Sequence, residues 1–571
     1  MGRIRRLALT VGLLHAVAPA FAASPAPVEG KDGMVVSAHR LASRIGADIL
    51  DRGGNAVDAA VAVGYALAVV YPQAGNLGGG GFMTLRRADG STVFLDFRER
   101  APKAATPDMY LGPDGESVPR LSLDGHLAVG VPGSVMGLED ARSRFGTMDR
   151  EALIAPSIAL ARDGFELAPG DVEALGAARE GLQADPAAAA IFAPDTALAV
   201  GDRLVQPDLA RTLETISREG ADGFYSGPVA QAIVAASEAG GGILAIEDFE
   251  TYAVRELDPV RCDYRNYTII SSPPPSSGGV IICEILNILE GYPLAHLGAG
   301  AAETVHFMSE AMRHAYVDRN SALGDPDFVD NPVEKLISDA YAGEIREKID
   351  RYRAGVSAEL MPAGMGESTE TTHYSIVDGE GNAVAVTYTL NGSFGAKVVA
   401  AGTGVLLNNE MDDFTQKPGV PNLYGLVQGE ANAIQPGKTP LSSMSPTIVE
   451  RDGALFMVIG SPGGSRIITI TLQAILNVVE HGMDIQEAID APRIHHQWLP
   501  DEISVEEGAL SPDTIRLLTG MGHAVGERGP WGQAAGILVG GPDLETVEVG
   551  EGTGLFGAMD SRAREGEAIG N

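Results

Sequence analysis

Two periods of hydrophobic and polar residues alternate along this chain. LASRIGADILDRGG (41–54) carries apolar residues at helical spacing and stops at a Gly-Gly pair, after which Asn55 offers an N-cap for a second helix. That second stretch, AVDAAVAVGYALAVVY (56–71), is apolar almost throughout. It holds Asp58 and is too short to cross a bilayer, which predicts a buried helix. GNLGGGGFMTL (75–85) then leads into a strand-like segment ending in TVFLDFRER (92–100). Residues 126–245 read mainly as helices broken by glycine and proline. CDYRNYTIISSPPPSSGGVIICEILNILEG (262–291) reads as a strand, a proline-serine turn and a helix, and ETVHFMSEAMRHAYVDRN (303–320) as a further helix. Later helices are predicted near 467–481 and 484–490. There is no internal repeat, and helices flanking strand-rich cores predict a layered α/β sandwich.

One junction breaks this regularity. RYRAGVSAELMPAGMGESTE (351–370) has turn formers and no sustained period, yet TTHYSIVD begins a strand immediately after it. HYSIVD and NAVAVTYTLN flank Gly-Glu-Gly (379–381), a hairpin signal. Closing the loop with Asp378 facing Asn382 sets Val377 opposite Ala383. Continuing outward, Thr371 falls opposite Thr389, with Asn391 on the face of Thr389.

With 571 residues the chain exceeds a single core of about 250–300, which predicts roughly two to four domains or one large α/β body. The formal net charge of −35 argues against nucleic acid or an anionic membrane as partner, so an anionic substrate needs local basic groups. MGRIRRLALTVGLLHAVAPAFAAS begins with arginines, continues apolar and ends on Ala20-Phe21-Ala22. Residues 1–22 therefore read as a secretory signal peptide, which implies a mature protein that is periplasmic or secreted and has no membrane span. Only Cys262 and Cys283 are present, and the sequence leaves their pairing open.

The junction has a chemical reading. No GxSxG elbow or Ser-His-Asp arrangement is evident, and a threonine hydroxyl is a weak nucleophile without a base. A chain-terminal threonine carries such a base, its own α-amine, with a reference pKa of ~7.7–8.0. Cleavage of the chain at this point would create one. On residue types alone Thr369, Thr371 and Thr372 all qualify, and strand propensity accounts for a Thr-Thr pair equally well.

The wider text narrows the choice. TTHYSIVDGEGNAVAVTYTLN, LLNNEMDDF, PLSSMSPTI and GSPGGSRIIT, together with DRGGNAVDAAVA, GGGGFM, DFRERAP, PPPSSGG and YVDRN, resemble the γ-glutamyltranspeptidase family, in family order from about residue 30 to the C-terminus. The resemblance implies a four-layer αββα sandwich of the N-terminal-nucleophile hydrolase type. It implies self-cleavage between Glu370 and Thr371, giving a large subunit (23–370) and a small catalytic one (371–571) that stay together. Thr371 would attack γ-glutamyl compounds such as glutathione, and the acyl group would pass to water or to an amino acid or peptide amine. No cofactor or metal is implied.

Carried over residue by residue, Thr389 resembles the helper hydroxyl, and Gly463 and Gly464 of GSPGGSR the oxyanion hole, where backbone N–H groups approach a developing O⁻. Arg98 matches the arginine that clamps the substrate carboxylate, aided by Ser442 and Ser443. Its neighbour Arg100 reads as a surface ion-pair member. Asn391, Glu410 and Asp413 match the groups around the α-ammonium, and KPGVPNLYGLVQG (417–429) a lid loop with Tyr424 as its gate. His306, Glu310 and His314 share a helical face, and His495-His496 form a pair. Both sets read as packing, since no HExxH is present. Two other functions compete: a cephalosporin (glutaryl-amide) acylase, whose substrate lacks the ammonium, and an uncleaved, inactive binding protein.

Overall fold

The computed structural model describes residues 24–360, 371–540 and 554–571. The expected signal peptide (1–22), Thr369 and Glu370, and hence the bond before Thr371, lie outside the described residues.

Two seven-stranded antiparallel sheets form the centre. The first runs Glu567–Gly570, Gly33–Ser37, Thr372–Asp378, Ala383–Thr389, Gly80–Arg86, Thr92–Phe97, Arg255–Leu257. The second runs Val28–Gly30, Leu555–Met559, Ala535–Val539, Ala454–Gly460, Thr447–Arg451, Tyr267–Ser271, Val260–Tyr264. Helices Arg40–Asp51, Ala56–Val70 and Ser134–Phe145 pack on the outer face of the first sheet. Gly278–Leu289, Ile467–Val479 and Ile485–Asp490 pack on the second. The inner faces meet each other, which completes the αββα order.

Local sequence explains the central pieces. Helix Ala56–Val70 is buried on every side, as its unbroken apolar run requires, and Asn55 and Asp58 close its N-terminus as a capping box. Thr372–Asp378 and Ala383–Thr389 are buried on both faces, and the two faces differ. Outward, Tyr374 and Tyr388 stand edge to face at 5.9 Å, and the Tyr388 hydroxyl donates to the Gly64 carbonyl of the covering helix (2.9 Å). Inward, His373 accepts from Thr387 Oγ1 (2.7 Å) and donates to Ser375 Oγ (3.0 Å), which passes its own proton to Ala535 O in the opposite sheet (3.1 Å). Burial drives the His373 pKa down to about 3, so the ring is a neutral strut between the sheets. Gly460 leaves room for that ring, since a Cβ there would lie 2.4 Å from it.

The hairpin register is the expected one. Val377 pairs with Ala383, Thr372 with Tyr388, and Asp378 N–H donates to Asn382 O (3.1 Å). The stretch from 262 differs in detail. Two strands, Val260–Tyr264 and Tyr267–Ser271, fold as a hairpin about Arg265 at φ +57°, a turn without glycine and so without the usual signal. Cys262 and Cys283 form a disulfide (Cα–Cα 5.8 Å) tying this hairpin to helix Gly278–Leu289.

Candidate active site

Thr371 lies at the open end of the central hairpin, 5% exposed, on the inward face shared with His373. Its Oγ1 is 3.3 Å from Thr389 Oγ1. Asn391 N–H donates to Thr389 Oγ1 (2.8 Å), so the acceptor side of that hydroxyl is occupied and its proton is free to point at Thr371. Asn391 itself turns out of the strand at φ +72° and anchors through Nδ2 to Asn409 O (2.9 Å).

The second sheet supplies the facing wall. Strand Ala454–Gly460 ends in Ser461-Pro462-Gly463-Gly464, which leads into helix Ile467–Val479. Gly463 and Gly464 have φ +141° and +56°, and a Cβ on Gly464 would lie 2.2 Å from the Tyr424 ring. Only glycine satisfies both the backbone and that contact. Tyr424 is buried, and its hydroxyl donates to Asn391 O (2.8 Å), so the 417–429 loop closes over the site. Asp412 and Asp413 hold the loop, accepting from Leu423 N–H (2.8 Å) and Asn422 Nδ2 (3.2 Å).

Behind the threonines lies a buried ionic cluster. Arg98 follows strand Thr92–Phe97 and reaches Glu410 (2.5 Å) and Asp413 (2.5 Å), with Glu99 at 3.8 Å. Burial works against the guanidinium charge, but Glu410, Asp413 and Glu99 outweigh it and hold its pKa above the ordinary value. Burial pushes Glu99 up to about 7, and Glu410 well above the usual carboxylate range. Glu99, Glu410 and Asp413 thus gather about the Arg98 guanidinium, with Glu410 Oε1 at ion-pair distance from Arg98 Nη1.

Thr371 lines two cavities. The inner one, about 20 Å³, is bounded by Arg98, Asn391, Glu410, Asp413, Ser442, Ser443, Tyr424 and Gly464. The outer groove, about 940 Å³, includes Gly463, Asn409, Trp531 and Arg120. Every site residue expected from the sequence therefore borders one or other cavity or, like Thr389, lines the inner one with Thr371. One expectation needs adjustment: the fork of Arg98 is already engaged by Glu410 and Asp413, so a bound carboxylate has to share it.

Glu99 escaped sequence analysis because the strand alternation ends at Phe97, just before it. Arg100 makes no carboxylate pair among the described residues. It donates to Ala253 O (2.8 Å) and lies over the Tyr252 ring instead. His306 and Glu310 are grouped with His523, from 217 positions further on, and not as one helical face with His314. His306 bonds Asp350 O and His523, each at 2.8 Å, while Arg313 donates to Glu310. These polar ends are spent on one another. His495 is likewise held by Thr469 (2.8 Å) and Gln497 (3.0 Å).

Comparison with known proteins gives a consistent result. A family model described as gamma-glutamyltranspeptidase matches residues 42–569. A glutathione hydrolase proenzyme of Pseudomonas sp. (strain A14) is 56% identical over 565 residues, covering 98% of each chain. One from Escherichia coli (strain K12) is 48% identical over 579 residues, again 98% of each. A solved cephalosporin acylase from Bacillus halodurans superposes with TM-score 0.83 at 26% identity, covering 98% of this chain and 99% of its own. The sandwich is thus shared by proteins acting on different acyl groups, and the residues of the inner cavity must decide between them.

Proposed function

Since the chain belongs to the γ-glutamyltranspeptidase family, we propose that it is a γ-glutamyltransferase and glutathione hydrolase whose precursor cuts itself between Glu370 and Thr371. The observation that carries the γ-glutamyl assignment is the pair of carboxylates, Glu410 and Asp413, that borders the inner cavity beside Arg98. Glu410 and Asp413 offer carboxylate oxygens to the α-ammonium of a γ-glutamyl group, and a cation there favours the ionised form that burial disfavours at Glu410. A glutaryl group has none, and would bring a further negative charge into the same cluster.

The placement of the hydroxyls supports the following course of reaction. The α-amine of processed Thr371 takes the Oγ proton as Oγ attacks the γ-carbonyl carbon. Thr389 donates to the attacking oxygen, and the N–H groups of Gly463 and Gly464 receive the developing oxyanion. Collapse breaks the amide C–N bond, and the Thr371 ammonium returns a proton to the departing amine, cysteinylglycine when glutathione is the donor. Water or an amino acid or peptide amine then attacks the Thr371 ester through the outer groove. Water releases glutamate, and an amine gives a new γ-glutamyl amide.

The signal segment, together with a disulfide of the kind that persists in oxidising compartments, supports export to the periplasm or beyond. No helix among the described residues is long and apolar enough to cross a membrane. The test is release of nitroaniline from γ-glutamyl and glutaryl anilides, with N-terminal sequencing of the purified fragments. Faster γ-glutamyl turnover and a fragment beginning Thr-Thr-His-Tyr are expected; faster glutaryl turnover reverses the assignment to an acylase.

A further inference from the structure

Two stretches of the sequence, PPPSSGG (273–279) and YVDRN (316–320), have no part in the chemistry above. The structure joins them at Arg319. This residue lies on helix Ala302–Ala322, is 1% exposed, and lines the inner cavity beside Arg98, Ser442 and Ser443. Arg86, Arg98, Arg313 and Arg493 are similarly buried, and each pairs with a carboxylate. Arg319 does not. Its hydrogen-bond partners among the described residues are all neutral: Ser277 Oγ (2.9 Å), Asn320 Oδ1 (2.9 Å), Gln428 Oε1 (3.4 Å) and Ser443 Oγ (2.9 Å). Burial lowers its pKa to about 10, which leaves it charged at neutral pH.

The direction of these bonds matters. Arg319 Nη2–H donates to Ser443 Oγ, and Met444 N–H donates to Ser442 Oγ (3.0 Å). Each hydroxyl accepts one of these bonds and keeps one proton to give. Ser277 relays the hold: it accepts from Arg319 Nε and donates to the Ser442 carbonyl (2.8 Å). Two directed O–H donors backed by a guanidinium bonded only to neutral groups form a receptor for an anion. Arg98, with both terminal nitrogens engaged by carboxylates, is the less available cation.

We infer that Arg319 is the positioning residue for the α-carboxylate of the donor. It fixes the hydroxyls of Ser442 and Ser443 as donors and contributes a positive charge that forms no ion pair with a carboxylate among the described residues. This rests on the γ-glutamyl reading. Two anilides separate the possibilities: γ-glutamyl p-nitroanilide, and 4-aminobutyryl p-nitroanilide, which is the same donor without its α-carboxylate.

In processed enzyme, Arg319→Met is expected to raise KM for the γ-glutamyl anilide by about 10- to 100-fold, the loss of one charge-assisted contact. It should leave kcat/KM for the 4-aminobutyryl anilide within about twofold, and Arg319→Lys should recover part of the loss. Ser277→Ala should show the same selectivity on a smaller scale, and it carries the decision with Arg319→Lys if Arg319→Met does not mature. Equal losses on both anilides would overturn the inference while the parent reading stands. Wild-type enzyme preferring the glutaryl anilide would overturn both.

Discussion

Thr371 and Thr389 stand across one hairpin with their hydroxyl oxygens 3.3 Å apart, and the second is oriented by the N–H of Asn391. Thr371→Ala is therefore expected to abolish both maturation and turnover, read as one full-length band on a denaturing gel and no anilide hydrolysis. Thr389→Ala keeps the nucleophile but loses its neighbour, and kcat should fall by about 10²-fold, in the range of a positioned proton donor.

Arg98 is bound into the protein's own carboxylates as well as bordering the inner cavity. Arg98→Ala should raise KM for γ-glutamyl donors with processing intact. Because Glu410 and Asp413 would be left buried without a counter-ion, it should also cost about 3–5 kcal/mol of stability. A thermal scan beside the kinetics checks this: a raised KM with an unchanged Tm would contradict the buried pairing.

The closed loop makes its own prediction. Tyr424→Phe removes the hydroxyl that bonds Asn391 O, a bond worth about 1 kcal/mol, and keeps the ring over Gly464. The loop should open more often and admit water, so the ratio of transfer to hydrolysis should drop by up to about fivefold at fixed acceptor concentration. Product analysis by chromatography reads this directly.

His373 gives a pH dependence whose sign is fixed. Its folded pKa is about 3 against an unfolded value of about 6.5, so the folded state binds fewer protons between those values. The stability this neutral ring contributes is complete above pH 6.5 and declines as pH falls toward 3. His373→Gln removes that titration. The stability gap between wild type and variant should shrink by about 1.4 kcal/mol per pH unit, or about 2 kcal/mol by pH 5. Denaturant unfolding at pH 7.5 and pH 5 measures it.

The parts of this site that could be read beforehand are those set by short-range rules. The Gly-Glu-Gly loop fixes the register by closure, and counting along two strands then brings Thr371 to Thr389. An unbroken apolar run capped by Asn55 can only be a buried helix. Arg319 obeys no such rule: its partners Ser277 and Ser443 lie 42 and 124 positions away, and nothing in helical spacing distinguishes a cavity-facing arginine from a surface one. Glu99 was hidden by the end of a strand, and His523 by its distance from His306. The hairpin at Arg265 lacks the glycine that announces most tight turns.

Both central sheets draw strands from either side of position 370. The first takes four from the earlier part of the chain and three from the later, and the second takes three and four. Neither part owns a sheet, so a single scission leaves nothing that could drift away as a module. The interleaving favours assembly of the continuous precursor, and expressing the two pieces from separate messages is expected to yield little properly built protein. On the proposed cut before Thr371, severing the backbone is a finishing step on an already interleaved body, and the new chain end arises in surroundings built beforehand.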